Sequence, residues 1–204
     1  MIIRSCYSRW AFSFIEKTMK TIIIRRLAIF TALLAVSVSG FAYDYGVQVN
    51  YLTGQVITSH PPGTKQYGMQ LQWFPKIMTW KNAQFFIQGG YEHLTTTTRT
   101  NASYATSLND FAAGLMFRTH FQLTNGVSPY FVIGSEPGYL NENTFGNRQL
   151  GSHFTFRDTI GFGLMLGEQQ QVALGFYFIH YSHLFNQPNP GITLPGEFSI
   201  TYQF

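Results

Sequence analysis

The chain has 204 residues, 17% of them aromatic and only 11% charged, with a formal net charge of +4. The first 42 residues hold six of the 13 basic residues and one of the nine acidic ones, so residues 43–204 keep seven basic and eight acidic groups, a net of −1. The basic character therefore belongs to one end of the chain, and the rest offers no basic face for nucleic acid. The only cysteine, Cys6, lies in that first segment, which rules out a disulfide in residues 43–204.

Residues 1–42 carry the marks of a secretory signal peptide. Lys20, Arg25 and Arg26 precede an apolar run from Leu27 to Val38, and Gly40-Phe41-Ala42 places small residues at the two cleavage-site positions. Met19-Lys20 offers an alternative start that gives a leader of ordinary length. A membrane-anchoring helix is the competing reading, but it needs about 20 apolar residues, more than this run supplies.

From residue 43 onward the recurring signal is alternation. Tyr45, Val47, Val49 and Tyr51 interleave with Gly46, Gln48 and Asn50; Tyr67, Met69, Leu71 and Trp73 interleave with Gly68, Gln70 and Gln72. Phe85, Ile87 and Tyr91 face away from Gln84, Gln88 and Gly90, and Phe111, Leu115 and Phe117 face away from Asp110, Gly114 and Arg118. A fifth run, Pro129 to Ser135, is mostly apolar. In the sixth, Ile160, Phe162, Leu164 and Leu166 oppose Gly161, Gly163 and Met165. The seventh places Val172, Leu174, Phe176, Phe178, His180 and Ser182 on one face; the eighth places Phe198, Ile200, Tyr202 and Phe204 opposite Glu197, Ser199, Thr201 and Gln203. Period-two patterning over eight short runs predicts eight strands, each with one apolar and one polar or small face.

That pattern predicts an all-β chain over residues 43–204: an eight-stranded antiparallel transmembrane β-barrel of the bacterial outer membrane, with the apolar face in lipid and Gln, Asn, Gly and Ser inside. The connections agree. Residues 54–65, 93–107, 136–151 and 184–196 are long and polar, whereas 75–80 and 167–169 are short, as expected of outer loops and periplasmic turns. A soluble lipocalin-like barrel would reverse the faces, but the polar face has almost no Lys or Glu and does not resemble a solvated surface. With both ends periplasmic, the seventh strand rises to the cell surface. His180 and Ser182 then stand at the outer leaflet, on the face turned to lipid.

An imidazole and a hydroxyl two residues apart on a strand share a face and can meet, which is what an activated serine nucleophile requires. The pair alone is weakly specific, and a structural histidine at the membrane interface is the plainer reading. His60, His93, His120 and His153 fall on separate loops and turns without metal-ligand spacing, so no metal is expected.

The wider segment is more specific. His180-Tyr181-Ser182 followed by Gln187-Pro188-Asn189-x-Gly191-Ile192, together with Phe156-Arg157-Asp158-Thr159-Ile160-Gly161-Phe162-Gly163, resembles the lipid A 3-O-deacylases of the PagL family. The resemblance is clearest from about Gly151 to Gly191. It implies an outer-membrane esterase that removes the 3-linked acyl chain of lipid A, the lipid anchor of lipopolysaccharide, without metal or cofactor. It also implies roles: Ser182 as nucleophile, His180 as general base, Asn189 as oxyanion donor. Two positions depart from the family. His183 stands where the family has Asn, and Thr193 stands where a glutamate orients the histidine. Loss of the acid from such a triad typically costs several orders of magnitude in rate. The rival expectation is therefore a barrel of the same family that is structural or lipid-binding and catalytically weak.

The missing acid has a candidate. The sixth and seventh strands join at a tight turn around Glu168 and Gln169, so paired positions sum to about 336 or 338. A sum of 338 sets Asp158 opposite His180; a sum of 336 sets it opposite Phe178, with His180 diagonal. A lipid-facing carboxylate is costly unless paired or at the interface. Asp158 is thus expected to orient His180, with a loop anchor or a lipid-headgroup contact as the alternatives. Glu197 is expected to point inward, behind the barrel wall.

Overall fold

The computed structural model of the protein describes residues 45–53, 59–80, 82–121, 123, 126–183 and 191–204. The expected leader and Asn189 lie outside these residues. In chain order the strands are β1 (Tyr45–Thr53), β2 (Lys65–Trp73), β3 (Ala83–Thr95), β4 (Ser107–His120), β5 (Val127–Leu140), β6 (Thr144–Phe145), β7 (Arg148–Gln149), β8 (Phe154–Leu166), β9 (Val172–Ser182) and β10 (Ile192–Gln203). Lys76–Met78 form a short 3-10 turn. Eight strands close into an antiparallel barrel in the order β1-β10-β9-β8-β5-β4-β3-β2, and β6 and β7 form a small hairpin between β5 and β8. Pairing of β1 with β10 closes the wall, so the backbone ladder has no open edge inside a bilayer.

The alternation becomes an inside and an outside. Tyr51, Leu71, Phe111, Phe162 and Ile200 are each more than half exposed, so the outer surface is apolar. Gln48, Gln70, Gln72 and Gln88 are buried inside and bonded to one another: Gln72 Nε2 donates to Gln48 Oε1 at 2.8 Å and to Gln88 Oε1 at 2.7 Å. A barrel that is apolar outside and polar inside is a transmembrane barrel, and the lipocalin arrangement is its inverse.

The interior also holds charge that the sequence pattern does not reveal. Arg157 on β8 is fully buried with three acids from three other strands. Its Nε and Nη2 reach Glu136 at 2.9 and 2.8 Å, a two-point pairing between directly opposed residues of β8 and β5. Nη1 lies 3.0 Å from Asp110 and 3.1 Å from Glu92. Glu197 also points inward, as expected, and accepts a hydrogen bond from Gln66 Nε2 at 2.6 Å. Nearer the periplasmic end, the Arg118 guanidinium sits against the rings of Phe86, Tyr130 and Phe74 at 4.8, 5.1 and 5.5 Å.

The strands reach further outward than the alternation predicts. Residues 93–95, 107, 136–140 and 192–195, expected in loops, continue the ladder. Above the lipid belt the apolar alternation lapses while the backbone pairing goes on, from Thr95 opposite Ser107 to Thr193 opposite His180. In β10 the register shifts between Pro195 and Glu197. Gly196, at φ 97°, is the extra residue of a bulge. Below it even positions such as Phe198 and Ile200 face out; above it odd positions do, and Thr193 is turned to the outer surface.

Candidate active site

The barrel register assembles a row of polar residues that no one strand contains. Ser135 on β5 is opposite Asp158 on β8, Asp158 is opposite His180 on β9, and His180 is opposite Thr193 on β10. Directly opposed residues present their side chains to the same face, so these four groups line up across the outer surface near the outer ends of four strands. One step toward the periplasm lies a second row: Ile133, Ile160, Phe178 and Pro195, again paired in sequence across the same strands. The two rows wall a groove of about 530 Å³ lined by Ser135, Asp158, His180 and Thr193 above and by Ile133, Ile160 and Phe178 below.

Hydrogen bonds order the polar row. His180 Nδ1 lies 3.0 Å from Thr193 Oγ1. Asp158 accepts from Ser135 Oγ at 2.6 Å through Oδ1 and from Ser182 Oγ at 3.0 Å through Oδ2. The expected pairing of Asp158 with His180 is present in the register, but the bond expected between them is replaced. The two carboxylate oxygens are taken by serines, and the histidine's partner is the threonine. The β10 bulge turns Thr193 outward beside the imidazole, while Asp158 bonds Ser135 on one flank of β8 and Ser182 on the other. A serine hydroxyl has a single proton, so in this arrangement the Ser182 proton is directed at Asp158.

Two backbone features fix the surroundings. Thr155 Oγ1 donates to the Ser182 carbonyl at 3.0 Å, holding the end of β9 against β8. Gly191 adopts φ 61° and passes close to the imidazole: a Cβ there would stand 2.9 Å from His180 Cε1 and 3.2 Å from Nε2, and 2.5 Å from the Tyr181 carbonyl oxygen. Only glycine combines that dihedral with that approach. Asn189, the expected oxyanion donor, lies outside the described residues. His183 follows Ser182 beyond the strand, and burial lowers its pKa, which keeps it neutral at pH 7. Among the described residues, no three His, Cys, Asp or Glu side chains are grouped as metal ligands.

Ser135 and the bonding role of Thr193 escape a reading of the sequence. Ser135 did carry a signal, since it is a hydroxyl where the fifth run's lipid-facing positions, Phe131 and Ile133, are apolar. Thr193 carried only the signal of its position, where the resemblance implies a glutamate that orients the histidine; its facing depends on the bulge.

The family described as lipid A 3-O-deacylase (PagL) matches residues 64–196. The lipid A deacylase PagL of Bordetella bronchiseptica (strain ATCC BAA-588 / NCTC 13252 / RB50) is 31% identical over 88 residues, 41% of this chain and 46% of that protein. The chain thus aligns with slightly less than half of that relative's length. The crystal structure of the outer membrane enzyme PagL superposes with a TM-score of 0.64 at 19% identity, covering 78% of this chain and 99% of the other. That likeness is one of fold.

Proposed function

The chain belongs to the lipid A 3-O-deacylase (PagL) family and is an outer-membrane barrel, and from that premise we propose that it hydrolyses the ester of the 3-linked acyl chain of lipid A, with Ser182 as nucleophile and His180 as base. One observation carries this reading: the polar row lies directly above the apolar row on the lipid-facing surface at the outer end of the barrel. An amphiphile in the outer leaflet would lay an acyl chain along Ile133, Ile160 and Phe178, which brings the ester to the level of His180 and Ser182. Water need not be crossed, since substrate and site meet in the plane of the membrane.

The chemistry follows from the hydrogen bonds. In the productive tautomer His180 donates Nδ1–H to Thr193 Oγ1, which leaves Nε2 bare as the base. The Ser182 hydroxyl turns from Asp158 toward Nε2, the oxygen attacks the acyl carbonyl, and the proton passes to the imidazole. His180 returns that proton to the departing sugar oxygen, leaving an acyl-serine. A water deprotonated by His180 then releases a 3-hydroxy fatty acid and restores Ser182. Asn189 is proposed to donate to the oxyanion. Asp158 is proposed to hold the serine hydroxyl at rest.

The test is deacylation of purified lipid A by the folded barrel, with Ser182→Ala and His180→Asn as controls. The proposal expects release of one 3-hydroxy fatty acid per lipid by the wild type and none by either variant. A wild type that binds lipid A and releases nothing would instead fit a lipid-binding barrel whose catalysis lapsed with the glutamate.

A further inference from the structure

The polar row does not end at Thr193. His60, between β1 and β2, exchanges both backbone hydrogen bonds with Thr193: His60 N–H donates to the Thr193 carbonyl at 2.8 Å, and Thr193 N–H donates to the His60 carbonyl at 3.0 Å. The two form an isolated antiparallel bridge, so their side chains share a face. His60 is exposed there, on the flank of Thr193 away from His180. The turn that follows is closed by its own side chains. Ser59 Oγ and Thr64 Oγ1 both donate to the Pro61 carbonyl, at 2.8 and 2.7 Å, and Thr64 N–H donates to Ser59 Oγ at 3.1 Å. Thr64 is buried, and the next residue, Lys65, begins β2 exposed. The turn therefore carries an exposed imidazole at His60 and, where β2 begins, an exposed ammonium at Lys65, beyond the end of the polar row.

The two flanks of the site differ in kind. Toward β8 and β5 the surface drops into the apolar groove that suits an acyl chain. Toward His60 and Lys65 it offers N–H donors and a fixed positive charge. A glycolipid whose acyl chain occupies the groove and whose ester sits at His180 projects its sugar over Thr193 toward this flank. Lipid A carries phosphomonoesters on its disaccharide.

We propose that His60 and Lys65 form a phosphate subsite that binds a phosphomonoester of the glycolipid and so fixes which of its esters faces Ser182. This rests on the proposed lipid A substrate, but the subsite is a binding claim and can be read without turnover. Lys65 supplies charge and His60 a directional N–H, a combination suited to a phosphate oxygen.

The experiment measures binding of the folded barrel, in mixed micelles, to lipid A with its phosphates and to fully dephosphorylated lipid A, for the wild type, His60→Ala, His60→Gln and Lys65→Met. Heat-dependent gel mobility confirms that each variant is folded; the His60 variants keep the backbone bridge, which needs no side chain. The wild type is expected to favour the phosphorylated lipid by about tenfold, the order expected for hydrogen bonds to a charged group. That preference is expected to fall at high salt. Each variant is expected to lose most of it while binding the dephosphorylated lipid as the wild type does. Equal wild-type affinity for the two lipids, or variants that keep the full preference, would overturn the subsite. Inorganic phosphate is the second probe: competition by it at micromolar concentration would mean a free-phosphate site and would also overturn the proposal. A phosphate preference without deacylation would sustain the subsite and sink the esterase reading, so the two fail separately.

Discussion

Replacing Thr193 tests whether its hydroxyl orients His180. Thr193→Val keeps the shape and deletes only the Oγ1 that lies 3.0 Å from His180 Nδ1. A neutral hydrogen bond of this kind contributes about 0.5–1.5 kcal/mol net. With tenfold in rate for each ~1.4 kcal/mol, kcat is expected to fall roughly 2- to 13-fold while KM stays nearly constant, because the bond orients the base rather than the lipid. Thr193→Ser is expected to retain activity. Thr193→Glu replaces a neutral bond with a charge-assisted one and restores the acid whose loss from such a triad is costly, so kcat is expected to rise by roughly tenfold or more. Its acid limb is expected to move to higher pH, since a carboxylate favours the imidazolium and less of the base is then free at a given pH. The assay is fatty-acid release from lipid A in mixed micelles across pH, on barrels shown to be folded by heat-dependent mobility. A fully active Thr193→Val, or a loss confined to KM, would refute the orienting role of Thr193.

Three further outcomes are expected. Arg157→Met leaves Glu92, Asp110 and Glu136 buried without their cation, which typically costs about 3–5 kcal/mol; the urea midpoint in lipid vesicles is expected to drop sharply and to recover in part with Glu136→Gln, and an unchanged midpoint would contradict the network. Phe178→Ala opens the floor of the groove and is expected to raise KM for long-chain substrates about tenfold, from the lost apolar burial, with a smaller change for a short-chain ester. Deacylation is expected to be lost in folded His180→Asn, because the imidazole accepts the Ser182 proton; full activity in that variant would exclude His180 as the base.

The membrane-facing half of the fold was legible because lipid imposes a strict rule. Every second residue of runs such as Tyr67 to Trp73 or Phe198 to Phe204 must be apolar, and the intervening Gln and Ser must find partners inside. The outer ends were not legible, since above the lipid belt that rule lapses. Pro137 and Pro195 read as loop residues yet lie within strands. The interior cluster was hidden for a different reason. Arg157 meets acids 21 to 65 positions away, and nothing local marks them as partners. At the site, the facing of His180, Ser182 and Asp158 followed from strand parity and a tight hairpin, and their alignment could be foreseen. The Thr193 and His60 placements depend on the Gly196 bulge and on a bridge between distant segments, and parity alone misassigns Thr193.

The esterase assignment is tested most directly by mass spectrometry of lipid A from an outer-membrane-bearing host with and without this chain, alongside the chain carrying Ser182→Ala. The wild-type chain is expected to remove one 3-hydroxyacyl group from lipid A, with the matching free fatty acid recovered, and the Ser182→Ala chain, folded in the same membrane, is expected to leave the lipid intact. Lipid A of unchanged mass in cells holding the folded wild-type barrel, or equal loss of the acyl group with Ser182→Ala, would contradict it.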